Sequence, residues 1–217
     1  MEWIVQTIVT TPEYRGWGWN VITISFLATI ALTFGLQLPS LINQAMTIWK
    51  NRSAKGVEML TFIAFFTYFT VFVVYAFATH SGAGMVNTSV LLIPQLFILA
   101  GIIRFNNLRT IDVFASAAGA ALLLLAIFSE NKESSYMIAS LVVFVGLLLQ
   151  PIAMIKTKTS ANVALSFPLS FASVCTVWTL YGVAVSDQYI AGVSFVFMFE
   201  YLWIALLWFR YHVREKA

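Results

Sequence analysis

The sequence predicts an all-α membrane protein. Seven transmembrane helices form two parallel three-helix bundles joined by one inverting linker helix, a 3+1+3 arrangement with the N-terminus outside and the C-terminus cytoplasmic. Three observations lead there: the composition, the one-sided placement of Lys and Arg, and a self-similarity at one fixed offset. Of 217 residues, 60% are hydrophobic and 10% charged, against roughly 45–50% and 25% in an ordinary soluble domain. Mean hydropathy is +0.87. Twelve Lys+Arg and nine Asp+Glu cannot cover the surface of a soluble fold this size. Soluble enzymes, disordered tails and nucleic-acid binders are excluded. The net charge of +3 is small, and its placement carries more information than its size.

A bilayer core needs about 20 mostly apolar residues per helix. Seven stretches qualify: residues 21–48, 59–79, 85–103, 111–129, 136–154, 163–186 and 189–209. The first is long and holds Pro39, so a tilt or kink is expected there. The connections are short, which favours antiparallel neighbours. Continuous apolar runs, in place of alternating segments of about ten residues, argue against a β-barrel.

Direction follows from the basic residues. Ten of the twelve fall on one side: Lys50, Arg52 and Lys55; Arg104 and Arg109; Lys156 and Lys158; and Arg210, Arg214 and Lys216. The other side keeps Arg15 and Lys132, beside Glu2, Glu13, Glu130, Glu133 and Asp187. An even number of spans would break this pattern.

Shifted by 106 residues, the chain matches itself without a gap from residue 41 to residue 105. Gln44 falls on Gln150, Lys50 on Lys156, Arg52 on Lys158, Phe65 on Phe171, Tyr75 on Tyr181 and Arg104 on Arg210. Leucine and valine coincide cheaply in an apolar chain; Gln, Lys, Tyr and Arg do not. The offset relates spans 1–3 to spans 5–7 and leaves span 4 over. Four spans separate equivalent helices, so both halves point the same way. The expected segments are an extracytoplasmic stretch (1–20), a first repeat (21–105), a linker helix (106–132), a second repeat (133–211) and a cytoplasmic tail (212–217). In transporters built from such repeats the solute sits near the midplane between them.

The single cysteine, Cys175, excludes an intramolecular disulfide and any CxxC pair. The two histidines, His80 and His212, lie near segment ends, and there is no HExxH, GxSxG or Gly-rich phosphate loop. No metal site, cofactor or catalytic residue is expected. The N-terminus does not read as a secretory signal: Glu2 stands where a basic region belongs, and Thr10, Thr11 and Pro12 break the apolar run.

Lys156-Thr157-Lys158-Thr159-Ser160, then Pro168, then Val177-Trp178-Thr179-Leu180-Tyr181-Gly182 resemble the second half of the SWEET and SemiSWEET sugar transporters of the PQ-loop family. Lys50-Asn51-Arg52-Ser53-Ala54-Lys55-Gly56 resembles the matching loop of the first half. The resemblance covers about residues 20–211 and implies sugar transport by alternating access. The family's Pro-Gln pair is altered: Asn43-Gln44 and Gln150-Pro151 stand ten residues before Ser53 and Ser160, and Pro39 sits one turn before Asn43. Family prolines act as hinges, which the resemblance implies for Pro39 and Pro151; a static kink is the alternative. Pro94-Gln95 in span 3 lacks the basic loop at the right distance, so only a kink at Pro94 is expected.

The resemblance also implies a solute site between a tryptophan on the second helix of each repeat and an asparagine on the third. Trp178 matches that tryptophan, and its partner in the first repeat is Phe72. Asn87 lies where the first asparagine is expected; its repeat mate is Val193, with Ser194 beside it. Aromatic faces stack on sugar C–H groups, and an amide hydrogen-bonds hydroxyls. Packing for Trp178 and helix capping for Asn87 are the competing roles.

Glu200, in mid-span 7, is not explained by the resemblance. An acid at the bilayer centre costs a few kcal/mol and usually faces a cavity or a partner. It is a candidate for proton or cation coupling, or for binding a substrate amine. A neutral Glu satisfied by Tyr201 or a glutamine is the plainer alternative. Gln44 and Gln150 are gate or packing residues, and Tyr75 and Tyr181 an outer gate or an aromatic belt.

The function these features predict is transport of a small polar solute, a sugar first. A proton-coupled PQ-loop carrier of amino acids or other metabolites using Glu200 is the nearest alternative, and a seven-helix receptor the next. A retinal protein fails for want of a lysine between residues 189 and 209. Expected partners are the solute and the lipid bilayer, with no nucleic acid; a homo-oligomer stays open. The location expected is a plasma or inner membrane.

Overall fold

The computed structural model describes residues 10–15, 18, 20–54, 59–105, 108–158 and 165–216; the side chains at 149, 150, 153, 157, 166, 167 and 212–216 lie outside the described set. Among the described residues the chain is helical and contains no strand. A short α1 (Pro12–Arg15) precedes α2 (Val21–Leu32), a π-helical turn (Thr33–Gln37) and α3 (Leu38–Asn51), which together make one long rod. Then follow α4 (Met59–Ala78), α5 (Gly82–Phe105), α6 (Thr110–Phe128), α7 (Lys132–Thr157), α8 (Ser166–Ala184) and α9 (Gln188–Lys216).

Among the described residues, five segments are long and apolar enough to cross a bilayer: Val21–Asn51, Met59–Ala78, Gly82–Phe105, Thr110–Phe128 and Gln188–Tyr211. The apolar part of α8, Pro168–Ala184, is shorter. The chain is an integral, multi-pass membrane protein. Large apolar side chains stand exposed all round it, among them Phe114, Phe128 and Leu206, as lipid contact requires.

Local signals set the helix ends. The Asn20 side chain accepts from Thr23 N at 3.0 Å and opens α2. Asn131 accepts from Ser134 N at 2.9 Å and starts α7 four residues ahead of the expected boundary. Arg109 N donates to Asp112 at 3.0 Å, closing a capping box on α6. Arg52 and Lys158 end α3 and α7 in the left-handed region, at φ 48° and 54°. His80 (φ 55°) and Ser186 (φ 59°) do the same between α4 and α5 and between α8 and α9. These four are the positive-φ residues other than glycine among the described residues, and they form two pairs, each 106 residues apart.

Pro39 has no N–H and its ring crowds the preceding turn, so the regular ladder cannot run through it. The helix widens just before it, and Leu38 N donates back to Thr33 O across the π turn. The π turn thus stands just before Pro39, where a tilt or kink is expected.

Six segments close a ring. The α2–α3 rod packs on α5, α5 on α4, α4 on α7, α7 on α9, α9 on α8, and α8 back on α2. Exchanging the rod with α7, α4 with α8 and α5 with α9 returns the same ring. Helix α6 lies outside it, against α4 and α7, with Asp112 and Ala126 its buried residues. Glycines set the closest approaches: a Cβ on Gly119 would stand 2.4 Å from Thr67 Oγ1, and one on Gly182 would stand 2.5 Å from Ala191 N.

Candidate functional site

An aromatic column fills the centre of the ring. The rings of Phe72 on α4 and Trp178 on α8 meet edge to face with centroids 5.4 Å apart. Below them Phe65 and Phe171 approach to 6.2 Å. Both contacts join residues 106 apart. Tyr136 of α7 stacks on Tyr75 at 4.6 Å and shares a 3.2 Å hydrogen bond with Tyr68.

Beside the column lies a polar stripe on the first rod. Ser25, Thr29, Thr33 and Gln37 recur every fourth residue, so they share one helix face, and all four are buried. The Asn87 amide donates to Thr29 Oγ1 at 2.9 Å, while its own Oδ1 is buried without a hydrogen-bond partner among the described residues. Asn87 lies inside α5, not at its cap; Ser81 takes a capping role there, its hydroxyl accepting from Gly84 N at 3.1 Å. Ser194 is buried on α9, and its neighbour Val193 is buried too.

Glu200 is 4% exposed, and neither carboxylate oxygen has a hydrogen-bond partner among the described residues. Its burial shows that it points into the protein and away from lipid. A buried acid without a partner is costly.

The face that carries α1 is closed by tyrosines. Tyr75 donates to Asp187 Oδ2 at 2.8 Å. Tyr181 donates to Glu13 and shares a 2.9 Å hydrogen bond with Ser81. A cavity of about 310 Å³ lies at this closure, lined among others by Pro12, Tyr75, Tyr181 and Asp187. A second, wholly apolar groove of about 450 Å³ runs along α3 and α5, beside Ile42, Trp49 and Pro94. Neither is lined by Phe72, Asn87, Trp178, Ser194 or Glu200.

The structure thus brings Phe72 and Trp178 together and puts Asn87 against the first rod. It puts Tyr75 and Tyr181 into hydrogen bonds at one face. Gln44 is half-buried near the end of α3; Pro39 is exposed, and Pro151 is buried within α7. The Gln150 side chain lies outside the described residues, as do Lys55 and the loop from Thr159 to Val163. Sequence reasoning missed Thr29, Thr33 and Gln37, although their spacing of four in an apolar run was visible. It also missed Tyr136 and the reach of Glu13.

No family model matches the chain, and no curated protein does. A solved structure of a eukaryotic SWEET transporter, determined at 3.7 Å, is similar to it with a TM-score of 0.70 at 14% identity. The match covers 89% of this chain and 100% of that one. At that identity the likeness establishes a shared fold.

Proposed function

We propose that the chain is a transporter of a small polar solute, a sugar first, working by alternating access between two repeats. The repeats are α2–α5 and α7–α9, with α6 as the inverting linker, in a seven-span 3+1+3 topology with the α1 face outward. One observation carries the reading: repeat mates meet at the centre, Phe72 on Trp178 and Phe65 on Phe171. Equivalent residues touch one another where a two-fold axis passes between them. The ring order and the paired left-handed turns support the same axis.

In this mechanism the solute enters beside the aromatic pair. The Trp178 face takes its C–H surface, and the free acceptor of Asn87 takes a hydroxyl. Ser194 borders the opposite side. Tyr75 and Tyr181 form the gate on the α1 face. Pro39 and Pro151 let the first helix of each repeat flex, and Gln44, near the end of α3, is assigned to the other mouth. A plasma or inner membrane is the setting. Uptake into proteoliposomes against a panel of labelled sugars tests this; no uptake of any sugar overturns the choice of solute.

A second reading is favoured by Glu200. An acid buried without a partner suits a proton carrier or a seat for an ammonium, so a proton-coupled carrier of amino acids keeps the fold and changes the cargo. Including amino acids, with and without a pH gradient, separates the two.

A further inference from the structure

Glu13 stands ahead of the first membrane-crossing helix, yet it is 3% exposed. Its carboxylate accepts from Ala83 N at 2.9 Å, from Gly82 N at 3.3 Å and from the Tyr181 hydroxyl. The first two donors belong to the opening turn of α5, where a negative charge is favoured by the helix dipole. Gly82 leaves the room for it: a Cβ there would stand 3.2 Å from the carboxylate.

Across the mouth Asp187 has the same kinds of partner, one tyrosine hydroxyl and two backbone N–H groups. It accepts from Tyr75 at 2.8 Å and from Tyr189 N and Ile190 N at 3.0 Å each, in the opening turn of α9. Tyr75 and Tyr181 are repeat mates, and so are Ser81 and Asp187. Two crossed clasps therefore span the halves, but the first half has a serine where the second has a carboxylate. One hydroxyl cannot both cap Gly84 N and serve the N–H groups of Gly82 and Ala83. Glu13 supplies the missing carboxylate from outside the repeat. The hydrogen bonds then run one way: Gly84 N–H to Ser81, the Ser81 hydroxyl to Tyr181, and the Tyr181 hydroxyl to Glu13.

We propose that Glu13 is a gate residue: the segment before the first span carries the carboxylate that completes the second clasp across the α1 face. Two backbone donors hold Glu13 to α5, and a single hydroxyl holds it to α8. Opening breaks the Tyr181 bond and leaves Glu13 seated on the first half. This role rests on the alternating-access reading above.

The test is a distance across the mouth. Spin labels go on Ala78→Cys and Val183→Cys, both exposed at the ends of α4 and α8, in a Cys175→Ala background reconstituted in nanodiscs. Glu13→Ala and Tyr181→Phe are each expected to shift the ratio of narrow to wide mouths by about tenfold towards wide. The double variant should go no further than the larger single one. Tyr181→Phe leaves the α5 cap intact, so it reports even where Glu13→Ala folds poorly. A wild-type distribution in both variants, with Tyr75→Phe widening the mouth, overturns the role of Glu13 and leaves the gating reading standing. No widening in any of the three, Tyr75→Phe included, overturns both.

Discussion

Phe72 and Trp178 are 106 residues apart in sequence, and their rings meet edge to face at 5.4 Å. The contact joins the two halves of the ring at the level where the site is proposed. In the proposed mechanism, movement of one half against the other parts this pair, which is why the pair is assigned to the solute's path.

Trp178→Ala is expected to abolish uptake in proteoliposomes. Trp178→Phe keeps an aromatic face and should retain uptake within about tenfold of wild type, since a ring pair is worth about 0.5–1.5 kcal/mol. Equal loss in both variants, with both eluting as folded protein on size exclusion, would mean that the indole N–H matters more than the face.

Glu200→Gln keeps the shape and removes the titration. If Glu200 carries a proton, accumulation driven by an acidic outside is lost while solute exchange across equal pH survives. If it seats a substrate amine, binding weakens at every pH. Unchanged accumulation and unchanged pH dependence would leave Glu200 a structural residue.

Pro39→Ala restores the missing N–H and lets the π turn at 33–37 relax to regular helix. Solute affinity should hold, while counterflow exchange slows several-fold because the rod loses its point of flexure. Exchange at the wild-type rate would make the π turn a static kink.

Gly182→Ala forces a methyl group against the backbone of Ala191, which no side-chain rotation relieves. A cost of roughly 1–3 kcal/mol is expected, read as a lower midpoint of thermal unfolding in detergent. Gly192→Ala, with nothing within 4 Å of the new Cβ, is the matched control and should hold or slightly raise the midpoint, because Ala is the better helix former.

Apolar runs and basic loops made the helices legible, because bilayer thickness and charge placement act on local sequence. The helix ends were less so. The early start of α7 is set by Asn131, and that of α5 by Ser81 together with Glu13. The last of these spans 70 residues, and no local pattern reports it. The clue was in the repeat: Ser81 against Asp187 is a mismatch in charge at equivalent turns. Asn87 was singled out by the family resemblance, but its bond to Thr29 was not foreseen, because which faces of α2 and α5 meet is decided by packing. Glu200 stood out at once, since an acid in an apolar run has few neighbours to hide among.

Lys132 donates its ammonium to Ala126 O at 2.9 Å and Ile127 O at 2.7 Å, the last carbonyls of α6. Its charge is drawn onto a helix end, which leaves Arg15 as the other Lys or Arg on that face among the described residues, against Glu13, Glu130, Glu133 and Asp187. The mouth therefore sits in a negative field. On the proposed transport reading, cations and protonated amines are gathered toward it from solution, anions are turned away, and neutral sugars feel nothing. The rate at which cationic solutes arrive should fall with added salt and that of anions rise, as the field shrinks to a Debye length of about 8 Å at physiological ionic strength, while the arrival of a neutral solute stays constant.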